Sequence, residues 1–354
     1  MEAPPAPPVA GSLRGGAHRR RVLLGLLALV VLVAIALSLG VGARAIDPVT
    51  VLRALTAPLD GSRAVSTDDM VVLRLRIPRT AIGLAAGAAF GIAGTLVQAV
   101  TRNPLADPGL LGINAGASLA VVLAITLLGV STPLGYVWFA LGGAVVAVFI
   151  VFLVAGPRRG ASPLTLTLAG AAVTAGLTSI LTLLLLTRTQ TLDQYRFWSV
   201  GSLTGRSVDV LALLAPFLVL GAVLALLLGR VLDALALGDE LARGLGARVP
   251  LVRAVAVGAV VLLCGAATAA AGPIVFVGLA APHLARRLVG MRHAELIPAS
   301  ALLGAALLVL ADVGGRLVVP PGELEAGIVV AVLGAPLMIA LVSRARRPVR
   351  PVVR

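Results

Sequence analysis

Long apolar stretches separated by short polar segments dominate the chain. Stretches of about 20 apolar residues recur along almost the whole length, each long enough to cross a ~30 Å hydrocarbon layer as a helix. Backbone polar groups in lipid must be hydrogen-bonded internally, so these stretches predict helices, and they lack the polar–apolar alternation of a membrane barrel. The predicted spans are 22–42, 80–100, 113–130, 134–155, 163–187, 209–230, 252–271, 273–289, 297–317 and 325–343.

Ten spans place both termini on one side of a membrane. Arginine is more abundant on that side, which predicts that it is cytoplasmic. The segment 43–79 is rich in arginine and nevertheless falls outside. The fold class is therefore an all-α polytopic membrane protein, with a disordered basic tail at 1–20, a transmembrane domain at 21–345 and a basic tail at 346–354.

The first span has an alternative interpretation as a signal peptide. Ala43-Arg44-Ala45 resembles a small-residue cleavage site. The apolar core before it is longer than the usual 7–15 residues of a signal peptide, which favours an uncleaved span.

Composition excludes several classes of function. Hydrophobic residues make up 59% of the chain and charged residues 12%, whereas soluble domains carry roughly 25% charged residues. No lysine is present, so a standard phosphate-binding P-loop and Schiff-base chemistry are both excluded. Any ATP hydrolysis must come from a partner subunit, and no cofactor is expected here. The net charge of +14 indicates contact with anionic membrane lipid rather than nucleic acid.

Residues with metal-binding or catalytic chemistry are sparse. The single cysteine, Cys264, lies within an apolar run and is expected to be a buried hydrophobe. The three histidines, at 18, 283 and 293, show no ligand spacing, so no metal site is predicted. HExxH and GxSxG are both absent, which disfavours a membrane-embedded enzyme.

Two spans contain stripes of small or hydroxyl residues at four-residue spacing. Gly83, Gly87 and Gly91, followed by Gly94, predict close contact between helices. Thr174, Thr178 and Thr182 continue a second stripe that starts at Gly170. This stripe is a candidate lining of a translocation path, but hydroxyls that bond to their own i−4 carbonyls or join helices explain it better.

Several blocks in fixed order closely resemble one family. The loop Arg102-Asn103-Pro104-Leu105-Ala106-Asp107-Pro108 follows the glycine-rich span, and its prolines and asparagine predict a rigid turn. The pattern of 74–118 resembles the permease family of binding-protein-dependent ABC importers for iron-siderophores, haem and vitamin B12. The further blocks are LAGAAV at 168–173, FWSVGSL at 197–203, ALGDELARGLG at 236–246, GPIVFVGLAAPHLARRLVG at 272–290, LIPASALLGA at 296–305, ADVGGR at 311–316 and GIVVAVLGAP at 327–336.

The resemblance implies a bacterial cytoplasmic-membrane importer whose permease catalyses no covalent step. In this family two permease subunits, identical or paralogous, form the path. Two ATPase subunits dock on the cytoplasmic side, and a substrate-binding protein delivers cargo outside. The implied cargo is a ferric siderophore, with cobalamin or haem as the alternative on the same scaffold.

The segment 236–249 matches the family's ATPase-coupling loop. Leu237, Leu241, Leu245 and Val249 recur every four residues as one apolar stripe. Glycines at 244 and 246 predict two short helical pieces rather than one rod. The resemblance assigns coupling to Leu237, Asp239, Glu240, Leu241, Arg243, Leu245 and Gly246, and the alternative is a helix lying on lipid headgroups.

Arginines at the outer end match family positions that dock the binding protein. Arg76 and Arg79 precede the second span, and Arg316 ends the block ADVGGR. Charge-assisted pairs with acidic residues would fix the docking orientation. Asp312 lies four residues before Arg316 and is expected to compete for it within the helix. The alternative is that these arginines snorkel to phosphate groups.

The chain departs from the family before the last span. The family has Glu-Leu-Pro-x-Gly, whereas this chain has Glu323-Leu324-Glu325-Ala326-Gly327. We expect the span to be retained, because glutamate at a helix start suits the helix dipole. An ion-coupled secondary transporter is less favoured, since Asp312 is the one acidic candidate within a span.

Overall fold

The computed structural model describes residues 12–42, 45–56, 66–130, 132–156, 163–319 and 322–345. All regular secondary structure within these ranges is helical. The α-helices are α1 Ser12–Gly40, α2 Pro48–Leu55, α3 Thr67–Val71, α4 Ile77–Thr101, α5 Ile113–Leu128, α6 Pro133–Ala155, α7 Pro163–Thr187, α8 Thr189–Ser199, α9 Val208–Ala236, α10 Asp239–Gly244, α11 Val249–Ala271, α12 Val277–Val289, α13 His293–Val318 and α14 Ala326–Ala345. A π-helical turn spans Val72–Arg76, and a 3-10 helix spans Pro108–Leu111.

Each of the ten predicted spans coincides with a helix. Seven helical segments are long and apolar enough to cross a membrane: Val22–Gly40, Thr67–Thr101, Leu134–Ala155, Leu164–Thr187, Val208–Ala236, Val249–Ala271 and His293–Val318. Ile113–Leu128 and Ala326–Pro336 are shorter apolar helices. The described chain is therefore a polytopic all-helical membrane protein.

The eighth predicted span, 273–289, is wrong at its start. Gly272 ends α11 at φ +80°, and Phe276 adopts φ +69°, so the helix begins only at Val277. A helix of 13 residues is about 20 Å long, which is shorter than the hydrocarbon layer. A Cβ on Gly272 would lie 2.2 Å from the carbonyl oxygen of Trp198, so this position requires glycine.

Two predicted non-helical segments are helical. The predicted tail 1–20 is wrong from Ser12 onward, because α1 extends from the apolar span through the arginines before it. The tail residues 1–11 and 346–354, and Ala43 and Arg44 of the cleavage-like sequence, lie outside the described residues. The predicted outer loop 43–79 is helical at α2 and again from Ser66, where a capping box with Asp69 starts one helical run that continues into α4.

Helix α4 lies at the centre and packs on α13, α11, α12 and α9. Its glycine stripe permits this, which confirms the predicted close contact. A Cβ on Gly87 would lie 2.4 Å from the carbonyl oxygen of Gly304, and one on Gly91 would lie 2.1 Å from that of Ser300. On the neighbouring face, a Cβ on Gly94 would lie 1.7 Å from the carbonyl oxygen of Gly278 in α12. Helices α1, α7 and α9 lie at the periphery and bury few of their residues.

Candidate functional site: two polar clusters at opposite ends of the bundle

A buried ion cluster joins α4 to α13 at one end. The Nε atom of Arg79 lies 3.0 Å from both carboxylate oxygens of Asp312, and its Nη2 atom lies 2.8 Å from Oδ1. Arg316, one helical turn after Asp312, donates through Nε to Oδ2 at 3.1 Å. The predicted pairing of Asp312 with Arg316 is confirmed, and it extends to Arg79.

Arg316 and a further arginine, Arg76, cap the C-terminal end of α1. Arg316 donates to the carbonyl oxygen of Ser38 at 2.8 Å and to its hydroxyl at 3.1 Å, and Arg76 donates to the carbonyl oxygen of Leu39 at 2.7 Å. The last carbonyls of a helix lack intrahelical partners and carry partial negative charge, so guanidinium groups suit them. The Ser38 hydroxyl also bonds to that of Thr80 at 2.7 Å. Three helices therefore meet at this cluster.

Glu323 connects the cluster to the start of α14. Its Oε2 atom lies 2.6 Å from Nη1 of Arg79, and its side chain is 31% exposed. The backbone N–H of Leu324 donates to the carbonyl oxygen of Gly315, and that of Gly327 donates to Gly201. Helix α14 is retained, as expected, although Glu325 occupies the position where the family has proline.

A cavity of about 500 Å³ opens beside this cluster. Its lining includes Arg74, Arg76, Arg79, Arg206, Arg316 and Glu323. Arg206 donates to the hydroxyl of Tyr136 at 2.7 Å and lies over its ring. The three predicted docking arginines are thus brought together at one cavity. They are largely buried, and two of them share the charge of Asp312.

The second cluster surrounds Asp239 at the opposite end of α4. Its Oδ1 atom accepts a hydrogen bond from Arg102 and lies 3.0 Å from Nη2 of Arg253, while Arg243 lies 3.8 Å from Oδ2. Arg102 ends α4 in a left-handed conformation, and it also donates to the carbonyl oxygen of Leu235. These bonds fix α10 against the ends of α4 and α11. Sequence reasoning did not identify this set of ion pairs.

The apolar stripe of the coupling segment faces outward. Leu237, Leu241 and Leu245 are each at least 60% exposed, whereas Val249 is buried. Ala242, fully buried, anchors the opposite face of α10, and Glu240 is exposed. The prediction of two short helices is wrong: Gly244 is the last residue of one helix, and Gly246, at φ +86°, follows it.

The threonine stripe lies on α7, a helix of which few residues are buried. Thr178 and Thr182 are exposed, and the Thr182 hydroxyl donates to the carbonyl oxygen of Thr178 at 2.9 Å. This is the predicted i−4 bond within the helix. Thr174 is half-buried, and its hydroxyl has no partner among the described residues.

One further carboxyl group lies in the loop after α4. Asp107 accepts a hydrogen bond from the backbone N–H of Gly109 at 2.8 Å and begins the 3-10 helix. Desolvation by the surrounding residues raises its pKa to about 6, and the bond from Gly109 opposes that shift. Among the described residues, no group of three or more His, Cys, Asp and Glu side chains forms a metal site.

The fold is that of a polytopic membrane protein, and comparison with known proteins gives its family. Residues 29–344 match the FecCD transport family. The chain is 45% identical over 323 residues to the ferric enterobactin transport system permease protein FepD of Escherichia coli, covering 91% of this chain and 95% of that protein. It is 37% identical to the iron(3+)-hydroxamate import system permease protein FhuG of Bacillus subtilis, covering 92% and 97%.

A solved structure of a metal-chelate type ABC transporter in an inward-facing conformation has the same architecture. The TM-score is 0.78 at 26% identity, covering 92% of this chain and 99% of that one. The chain belongs to the FecCD transport family.

Proposed function

We propose that this chain is the membrane permease subunit of an ATP-driven importer that moves a ferric siderophore across the bacterial cytoplasmic membrane. The observation that carries the proposal is its similarity, along nearly the whole chain, to permeases named for ferric enterobactin and iron-hydroxamate transport. A cobalamin or haem cargo on the same scaffold is the alternative. The catalysis of ATP hydrolysis is assigned to a partner, since the chain has no lysine for a P-loop.

In the proposed topology ten segments cross the membrane and both termini are cytoplasmic. The Asp239 end then faces the cytoplasm, and the Asp312 end faces outward. Short α12 and the extended residues before it would cross together. That arrangement suits a helix enclosed by protein, because non-helical backbone at membrane depth must be shielded from lipid.

The exposed leucines in and beside α10 support docking of two ATPase subunits. Leu241 lies in α10, and Leu237 and Leu245 lie just before and just after this short helix, which the Asp239 ion pairs hold against α4 and α11. A rigidly held patch can transmit a movement of the ATPase to these helices. Asp239 thus acts by positioning, while Glu240 and Arg243 offer exposed charges to the partner.

The outer arginine cavity supports docking of a substrate-binding protein. Acidic side chains from that partner would enter beside Arg76, Arg79 and Arg316 and compete with Asp312 and Glu323 for them. The exposed face of α7, with Thr178 and Thr182, suits a second permease subunit across a shared path. These two side chains would then line that path, beside residues of the second copy.

The experiment that tests the proposal is co-purification with the ATPase subunit. Leu241→Asp should abolish the complex and leave the fold intact, because the side chain is 60% exposed. The matched control is Leu317→Asp, which is 55% exposed at the other end of the bundle and should leave the complex intact. Equal complex formation by both variants would contradict the assignment of α10.

A further inference from the structure

A second cavity, distinct from the outer one, lies near the Asp239 end. It has a volume of about 410 Å³ and lies where the end of α4 meets α12 and the start of α13. Its lining includes Gln98, Arg102, His283, Arg286, Arg287 and His293. Five cationic or potentially cationic side chains therefore converge on one opening.

Helix α12 supplies the central groups of this cavity. His283, Arg286 and Arg287 are spaced i, i+3 and i+4, so they share one helix face. Arg286 donates to the Oε1 atom of Gln98. The amide nitrogen of Gln98 donates to the carbonyl oxygen of Ala106 at 3.1 Å, which fixes the orientation of the amide and holds the guanidinium in place.

Two nitrogen atoms in this group are buried and lack a partner. They are Nη1 of Arg286 and Nε2 of His283, and neither has a hydrogen-bond partner among the described residues. A buried polar atom without a partner is destabilising, so native proteins rarely retain one without a ligand or water. Both atoms belong to side chains that line the cavity.

The neighbouring carboxylates of Asp239 and Asp233 already pair with other residues. Asp239 pairs with Arg102 and Arg253, and Asp233 accepts from the backbone and ring of His293 at 2.9 and 2.7 Å. No carboxylate among the described residues forms an ion pair with Arg286 or Arg287. A partly buried guanidinium without a counter-charge favours the entry of an anion.

We propose that this cavity binds a phosphate group. Phosphate matches the planar donor fork of arginine, and two arginines with a histidine offer more donors than a carboxylate can accept. The rest of the lining is apolar, including Ala99, Pro104 and Leu296. In the orientation proposed above the cavity is cytoplasmic, where basic pockets between membrane helices bind anionic lipid headgroups. The phosphate can belong to such a lipid or to a soluble phosphate.

The test uses the purified full-length permease in a neutral detergent. Because it measures phosphate binding and not transport, a negative result can be told apart from failure of the proposed function. One arm titrates short-chain phosphatidylglycerol against phosphatidylcholine, and the other titrates inorganic phosphate and pyrophosphate. Binding is measured by native mass spectrometry and by the shift in unfolding temperature. The variants are Arg286→Gln and Arg287→Gln. The control is Arg292→Gln, which removes the same charge from an exposed side chain outside the cavity.

We expect saturable binding that weakens about tenfold or more in Arg286→Gln, as loss of a charge-assisted pair predicts, and that is unchanged in Arg292→Gln. If Arg286→Gln does not fold, Arg287→Gln carries the same expectation. Binding of phosphatidylglycerol but not of inorganic phosphate supports a lipid source, and the reverse supports a soluble one. Absence of binding in both arms, or equal weakening by the control, would overturn the proposal.

Discussion

Arg79 and Asp312 form a bidentate ion pair across 233 positions of the chain, with Nε–oxygen distances of 3.0 Å. The pair joins the beginning of α4 to the end of α13, two helices that are in close glycine-mediated contact. Arg316 shares the same carboxylate from within α13. One carboxylate therefore balances two buried guanidinium groups beside the cavity that we assign to docking.

Replacing Asp312 with asparagine should destabilise the protein strongly. The change leaves Arg79 and Arg316 buried without a counter-charge, and breaking a buried pair in this way costs about 3–5 kcal/mol. Thermal unfolding in detergent measures the effect. Glu323→Gln is the control: this carboxylate is partly exposed, so its loss should cost about 1 kcal/mol or less. Equal losses of stability in the two variants would show that Asp312 stabilises the fold no more than a partly exposed carboxylate does.

Replacing Gly94 with alanine should disrupt the contact between α4 and α12. The new Cβ would lie 1.7 Å from the carbonyl oxygen of Gly278, so the backbones must separate at a cost of about 1–3 kcal/mol. Gly314→Ala, in α13, has nothing within 4 Å of its Cβ and should be neutral or stabilising by about 0.5–1 kcal/mol. The unfolding temperatures of both variants measure these effects. An unchanged unfolding temperature for Gly94→Ala would contradict the packing argument.

Reversing charge at the outer cavity should weaken docking of the binding protein. Arg76→Glu together with Arg79→Glu places two carboxylates where acidic partner residues would enter, so affinity should fall about tenfold or more and become more sensitive to salt. Titration of the purified binding protein at two salt concentrations measures this.

Arg53→Glu is the matched control for that experiment. It makes the same charge change as either of the two replacements taken singly, in α2, at a half-exposed side chain outside the cavity. Its effect on affinity should be clearly smaller. Unchanged binding by the Arg76 and Arg79 variants, in protein that remains folded, would refute the docking role.

The carboxyl of Asp107 should make stability fall as pH rises. Its pKa is raised from 3.8 to about 6 by desolvation, so the folded state holds the proton more tightly than the unfolded state. The contribution of this group is therefore most favourable below pH 4 and is lost between about pH 4 and 6. Asp107→Asn keeps an acceptor for Gly109 and removes the titration.

Unfolding temperatures at pH 5 and pH 7.5 test this sign. The asparagine variant should gain stability relative to the unmodified protein on going to the higher pH. The exposed Asp209, changed to asparagine, is the control and should show no such gain. A relative loss for Asp107→Asn would mean that the ionised carboxylate is stabilising.

Local patterns predicted the helices well because their information lies in contiguous residues. The apolar runs located ten of the fourteen α-helices in the described residues, and the glycine spacing from Gly83 to Gly94 predicted the tight crossing of α4. The capping box of Ser66 and Asp69 is also a local pattern, and it could have shown that the predicted outer loop is helical. Gly272 and Pro273 are also local signals, and they could have shown that residues 273–276 do not continue a helix.

The ion clusters depend on contacts between distant positions and could be predicted only in part. The i,i+4 spacing gave the pair of Asp312 and Arg316, whereas the bond from Arg79 requires α4 and α13 to be packed at one particular height. Asp239 was assigned to coupling by resemblance alone. Its bonds to Arg102 and Arg253 depend on where three helix ends meet in the fold. The spacing of residues along the sequence does not contain that information.

The most direct test of the central claim is uptake in cells with and without this gene. Iron-labelled siderophore and labelled cobalamin are supplied in parallel, with ATP depletion as the control. We predict loss of ATP-dependent siderophore uptake alone, restored by the unmodified gene but not by Leu241→Asp. Loss of cobalamin uptake instead would retain the importer and change its cargo. If neither uptake depends on the gene, and haem uptake is likewise unaffected, the importer assignment is contradicted.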